Sequence, residues 1–249
     1  MSYCIVQLQS QTACFRNPEF FNYHKSFPVP PPTTLMGMAG AAMGLSPKAS
    51  QEYFADPDWE MGVYCYSRGT ANDLWKFFHI DKGQRSVILR ELRHDNTLFL
   101  AFGHQDISRI KAIQQAFMAP AYPLCTGSND MLAHVHRSWI TESTTTSRNL
   151  AHCMVAGDIV EEVMSNTGNG LSFSIYSSRE PTSYQIPTAF SYESIKQKGE
   201  VKIPEEYGFR KVIRRKLFSF IGEPIALNIE KQGLQVNESV FIPLFFPNT

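Results

Sequence analysis

Residues 27–45 read FPVPPPTTLMGMAGAAMGL, and they restrict the fold more than any other stretch because they join a proline run to a glycine-rich helix. Pro28, Pro30, Pro31 and Pro32 hold an extended approach, and each pushes the residue before it out of helical geometry. A helix is therefore expected to start after Pro32, capped by Thr33 or Thr34, with unpaired N–H groups and the positive end of its dipole facing outward as an anion site. Gly37, Gly40, Ala41 and Gly44 recur three and four residues apart, so one helix face carries little beyond backbone. Each glycine costs roughly 1 kcal/mol relative to alanine, which points to a surface, sheet or ligand, that must come close.

At 249 residues the chain can form one large domain or two small ones. The longest apolar run, residues 35–45, is far short of the roughly 20 needed to span a bilayer. The start, MSYCIVQLQSQTACF, alternates with polar residues and lacks a basic leader, so a cytoplasmic protein without a membrane segment is expected. Cys4, Cys14, Cys65, Cys125 and Cys153 are odd in number and never form CxxC, which argues for reduced, mostly buried thiols and against a zinc finger. His134 and His136 share a strand face, with His152 and Cys153 downstream, but no further ligands complete a site, so neither a metal nor a cofactor is expected. A P-loop, a GxGxxG after a strand and a GxSxG are all missing, which counts against a metabolic enzyme.

Charge is balanced, with 23 basic and 23 acidic residues. Its distribution is uneven. RKVIRRK at residues 210–216 concentrates positive charge, and a regular strand there sets Arg210, Arg214 and Lys216 on one face. Glu52, Asp56, Asp58 and Glu60 fall in one expected loop, and Asp158, Glu161 and Glu162 in another. Such polarity suits a polyanion on one side and a basic partner on the other, or else a strand edge protected by charge.

Residues 2–9 read as a first strand and residues 61–68 as a second. Residues 87–93 and 97–103 read as a hairpin closed by His94, Asp95 and Asn96. A helix capped by Asp106 carries Ile107, Ile110, Ile113 and Phe117, and a strand follows at 131–136. The order β-α-β-β-α-β predicts an α+β, ferredoxin-like domain of the type found in RNA-recognition motifs, spanning residues 1–137. Residues 69–85 read as an inserted hairpin with a turn at Asp81 to Gln84, bearing Trp75, Lys76, Phe77, Phe78 and Arg85. Bases interleaved with aromatics suit stacking on unpaired nucleotides. Residues 138–249 read as a small antiparallel β-rich module, with strands at 171–177, 184–192, 209–221 and 240–246.

FRNPEF at 15–20, PPPTTLMGMAGAAMGL at 30–45 and YPLCTGSNDML at 122–132 together resemble the fifth-numbered CRISPR-associated family, a RAMP-superfamily subunit of the Cascade surveillance complex. The resemblance implies a ferredoxin-like fold with an inserted thumb, for which residues 69–85 are the candidate. It implies binding of the five-prime repeat-derived handle of CRISPR RNA (crRNA) and capping of the complex foot in antiviral defence. The partners it implies are the Cascade backbone subunit, the large subunit and, through the complex, target DNA. The RNA contacts expected are Arg16, Tyr23, His24, Lys25, Thr33, Thr34, Trp75, Lys76, Arg85, Gly127, Ser128, Asn129, Arg210, Arg214 and Lys216. Gly127 enters because a glycine turn brings backbone donors close to a phosphate. Some branches of the family cleave precursor crRNA with tyrosine, histidine and lysine, types present at 23–25. Neighbours in an extended loop point apart, so binding without catalysis is the expected role.

Overall fold

The computed structural model describes residues 1–79, 83–165, 181–197 and 200–247. In β1 (Ser2–Ala13) alternate side chains enter two apolar layers, Cys4, Val6 and Leu8 the main core and Tyr3 and Ile5 a second core across the sheet. That is the period-two pattern of a strand covered on both faces. Next come β2 (Tyr23–His24), α1 (Pro32–Met43), α2 (Pro47–Tyr53), β3 (Glu60–His79), β4 (Gln84–His104), α3 (Ile107–Met118) and β5 (Ala133–Thr141). The rest comprises β6 (Thr145–Leu150), β7 (Cys153–Ala156), α4 (Ile159–Ser165), β8 (Thr182–Glu193), β9 (Ile195–Gln197), β10 (Glu200–Ile203), β11 (Phe209–Ile221), β12 (Ile225–Asn237) and β13 (Val240–Phe245). The protein is mixed α/β and mostly strand, with four α-helices among the described residues and one large 11-stranded, mainly antiparallel sheet. None of those helices is long and apolar enough to cross a membrane.

The sheet runs β5-β1-β4-β3-β13-β12-β6, and β7 joins β3 to β11, which pairs with β8. Leu35, Met38, Ala39 and Ala42 of α1 and Ile110, Ile113 and Phe117 of α3 pack with Val6, Leu100 and Phe102 on one side. On the other side Leu234 and Ile242, from β12 and β13, cover Tyr3, Ile5 and Phe99.

The N-cap of the helix at the proline run lies two or three residues earlier than its sequence suggests. Pro31 is the N-cap and Pro32 the first helical residue, with no side-chain cap, so Thr33 and Thr34 sit inside the first turn. Proline suits that place because its fixed φ is already helical and its missing N–H would have no partner there. Thr34 N–H donates to Pro31 O at 2.9 Å, which reduces the expected row of free donors to Thr33 N–H among the described residues. At the other end Gly44 takes φ 76°, and Leu45 N–H donates to Gly40 O at 2.8 Å in a Schellman closure.

The hairpin expected to close at His94, Asp95 and Asn96 does not exist. β4 runs unbroken from Gln84 to His104 beside β3, and residues 69–85 are the outer part of this same ribbon. Asp95 instead takes φ 53° within the strand, so the turn-forming residues bend the ladder without ending it. Two helices stand where the sequence suggests loops: Glu52 lies in α2, and Glu161 and Glu162 lie in α4. Each has seven described residues, too few for a clear 3.6-residue period. The strand expected at 171–177 and part of the turn at 81–84 lie outside the described residues.

Candidate nucleic-acid interface

Residues 15–27 fold back on themselves. Phe27 N–H donates to Phe15 O and Asn17 N–H to Lys25 O, both at 2.8 Å, and this leaves the Arg16 side chain exposed between them. Beside this arm the loop after Pro123 is closed by Met131 N–H donating to Ser128 O at 2.9 Å and by Thr126 Oγ1 donating to Thr12 O at 2.8 Å. Gly127 there has φ 116°, and a Cβ on it would collide with the Cys14 carbonyl, so both conformation and contact demand glycine.

The arm, this loop, the start of α1 and strands β8 and β11 enclose a groove of about 720 Å³. It brings together Arg16, Thr33, Thr34, Gly127, Ser128, Asn129 and Arg210 from widely separated parts of the chain. Arg215 adds a third guanidinium, and among the described residues no Asp or Glu lines the groove. Arg16, Arg210 and Arg215 also have no carboxylate partner among those residues. A neutral protein has thus gathered uncompensated positive charge in one concave place.

Arg214 and Lys216 do not join that face. The β8–β11 register shifts between Val212 and Arg214 and again between Arg214 and Arg215, opposite Pro187, which has no N–H to give the ladder. The irregularity breaks strict alternation and turns Arg215 into the groove. Arg214 Nε donates to Thr188 Oγ1 at 3.1 Å, and Lys216 Nζ donates to Phe246 O at 2.7 Å. Burial, with Arg214 nearby, lowers the Lys216 pKa. Strict strand alternation places Arg215 on the wrong face; Pro187 in the facing strand is the sequence signal that could have found it.

Tyr23, His24 and Lys25 lie outside the groove and diverge. Tyr23 Oη donates toward Glu91 Oε2 at 3.1 Å and Asn72 Oδ1 at 3.2 Å, and burial followed by the Glu91 charge raises its pKa. His24 packs beside Trp75, and burial, then Arg16 and Arg90, lowers its pKa. Lys25 Nζ stands 5.0 Å above the Phe20 ring.

On the β3–β4 ribbon, Trp75 is half-buried, stacked on Phe77 and covered by Arg90 at 5.0 Å. Lys76 and Arg85 lie on the opposite, exposed face with Leu74, Phe78, Val87 and Leu89. Outside these elements Asp56, Asp58 and His104 bring possible metal donors together. Asp56 there already meets Arg109 at 3.0 Å, and His104 Nδ1 accepts the Asp106 N–H at 2.9 Å, so protein partners answer this cluster. His134 and His136 are exposed on β5 and do not belong to it.

The family model described as CRISPR-associated protein (Cas_Cas5) matches residues 4–199, most of the chain and all of the groove's amino-terminal walls. The chain belongs to the Cas5 family. It is therefore a RAMP protein, and the large sheet flanked by α1 and α3 is its form of that fold. Among solved structures, a CRISPR protein from Archaeoglobus fulgidus is similar over 98% of this chain and 99% of its own, at 13% identity and a TM-score of 0.50. A chain of a CRISPR RNA-guided surveillance complex is similar over 89% of this chain and 90% of its own, at 14% identity and a TM-score of 0.47. Similarity to a further Cas protein covers 51% of this chain and only 57% of that one, at 17% identity and a TM-score of 0.35. No curated protein matches the chain in sequence.

Proposed function

We propose that this Cas5-family chain is the RNA-binding subunit of a CRISPR surveillance complex and holds the five-prime repeat-derived handle of crRNA without cleaving it. One observation carries the reading: the groove lined by Arg16, Arg210 and Arg215, with no carboxylate among its described lining residues, flanked by the Gly127 loop and the first turn of α1. Guanidiniums suit phosphates through paired N–H donors, and a glycine turn lets backbone come close. The partners are crRNA, the Cascade backbone and large subunits and, through them, target DNA. In this reading residues 1–137 form a ferredoxin-like unit, the ribbon around residues 69–85 is its thumb, and residues 138–249 form the β-rich module. The order β5-β1-β4-β3, with α1 and α3 on one side, supports the ferredoxin-like assignment.

Cleavage of precursor crRNA is the second reading, favoured by the presence of tyrosine, histidine and lysine at 23–25. Their divergent side chains weigh against it. A tyrosine whose pKa is raised by burial and Glu91 is a poorer base for a 2′-hydroxyl, and His24 stands against Trp75 and does not line the groove. Purifying the chain with its associated subunits and sequencing the bound RNA tests the proposal. Repeat-derived five-prime ends are expected, with retention weakening as salt rises. A complex free of RNA at low salt rejects it. Shortening of a repeat-containing transcript by the purified chain, abolished by Tyr23→Phe, would establish cleavage instead.

A further inference from the structure

Beside the arginine groove lies a second cavity, of about 330 Å³, between α1, α2 and the outer end of β8. The two share Thr33, Gly37, Ala41, Phe190 and Arg210, so a strand lying in the groove passes the cavity mouth. Two walls are held in place. The Gln51 side chain accepts the Phe190 N–H and donates to the Phe190 carbonyl, each at 2.7 Å, and Tyr192 Oη donates to Pro47 O at 3.0 Å. The floor is open, because a Cβ on Gly37 would meet nothing within 4 Å.

The remaining aromatics are of another kind. Tyr122 and Tyr207 also line the cavity, yet they are 52% and 57% exposed. Neither hydroxyl has a hydrogen-bond partner among the described residues. Both rings thus border the same apolar space while keeping about half of their surface open to solvent. The Arg210 guanidinium lies 5.5 Å from the Phe190 ring centroid, which sets a flat cation at the boundary between cavity and groove.

The geometry points to this cavity as a pocket for one unpaired nucleobase of the RNA whose phosphates lie in the groove. The inference rests on the RNA-binding reading and extends it to a subsite. The volume lies at the small end of the roughly 300–1,000 Å³ of small-molecule pockets, which suits a base with its ribose. Tyrosine rings supply stacking faces, and their unpartnered hydroxyls can meet a base edge. Continuity with the cationic groove favours a nucleotide over an apolar side chain from a partner protein.

The test uses the full chain purified with its associated subunits and stripped of RNA. Fluorescein-labelled single-stranded RNAs of about 12 nucleotides, intact or with one abasic position moved along the strand, are bound and followed by anisotropy. In the unaltered protein one abasic position is expected to weaken binding on the order of tenfold. Tyr122→Ala with Tyr207→Ala should weaken the intact RNA by a similar factor and make that abasic position silent. Tyr122→Phe with Tyr207→Phe keeps the rings and should preserve most of the sensitivity. If RNA binds but no position is sensitive, or the sensitive position is unaffected by the alanine pair, the base pocket is rejected while RNA binding stands. Unchanged RNA affinity together with loss of an associated subunit in the alanine pair would assign the cavity to a protein and also reject it. If none of these RNAs binds at low salt, the underlying reading fails.

Discussion

Arg90 donates from Nη2 to Asp130 Oδ2 at 2.7 Å and from Nε to Asp73 Oδ2 at 2.6 Å, so one guanidinium ties the β3–β4 ribbon to the loop bearing Gly127, Ser128 and Asn129. The Arg90 side chain is only 9% exposed, and Trp75 covers it. Removing one carboxylate leaves a buried cation short of a partner. Asp130→Asn is expected to cost about 1–3 kcal/mol, read from urea denaturation. It should also weaken RNA retention, because the loop loses its anchor. An unchanged midpoint would mean that the pair does not hold the loop.

The same pair sets an acid response. Hydrogen bonds from Arg90, then Ser128, lower the Asp130 pKa from 3.8 to about 2. A depressed carboxylate stabilises the fold above its unfolded pKa and loses that contribution as pH falls. Asp130→Asn and the unaltered chain should therefore differ most in stability above about pH 4 and converge as pH approaches 2. Thermal melts across that range check it; a constant difference would contradict the assignment.

Gly37 and Gly40, one turn apart, should respond in opposite directions. A Cβ at position 40 would enter the Ser50 side chain, whose Oγ donates to Met36 O at 2.8 Å, whereas at position 37 it meets open space. Gly37→Ala is expected to stabilise by roughly 0.5–1 kcal/mol and Gly40→Leu to destabilise by about 1–3 kcal/mol. Equal effects on thermal melting would show that α2 does not pack on α1 as described.

Gly127→Ala combines a left-handed φ with a collision against the Cys14 carbonyl. A cost of at least about 1–3 kcal/mol is expected, with hydrogen exchange rising first at Thr126 and Met131. Protection equal to that of the unaltered chain would argue against a built loop.

Charge removal separates the groove from the rest of β11. Arg16→Gln, Arg210→Gln and Arg215→Gln together should lower the salt slope of RNA binding by about 2, near 0.7 for each phosphate of a single strand that is no longer neutralised. Arg214→Gln with Lys216→Gln should leave it nearly unchanged, since those side chains turn to Thr188 and the Phe246 carbonyl. Equal slopes for the two sets would erase the distinction drawn by the β11 irregularity.

Local pattern alone made much of this protein legible. β1 follows from alternation, α1 from prolines before it and glycine after it, and α3 from the Asp106 cap, whose Oδ1 accepts the Ser108 N–H at 2.8 Å. Those signals act within a turn or two of backbone, so they survive in the sequence. The ribbon's length, the seven-residue helices α2 and α4 and the absence of a turn at Asp95 were not legible, because a turn-forming residue also fits a bend inside a ladder. Arg16, Gly127 and Arg210 could be named as candidates from residue type. That they share one groove with Arg215, while Tyr23, His24, Arg214 and Lys216 face elsewhere, depends on pairing between strands far apart in the chain. Register is a property of two strands at once, and opposite Pro187 it shifts in a way that β11's own residues do not encode. Tertiary structure alone therefore decided which arginines meet.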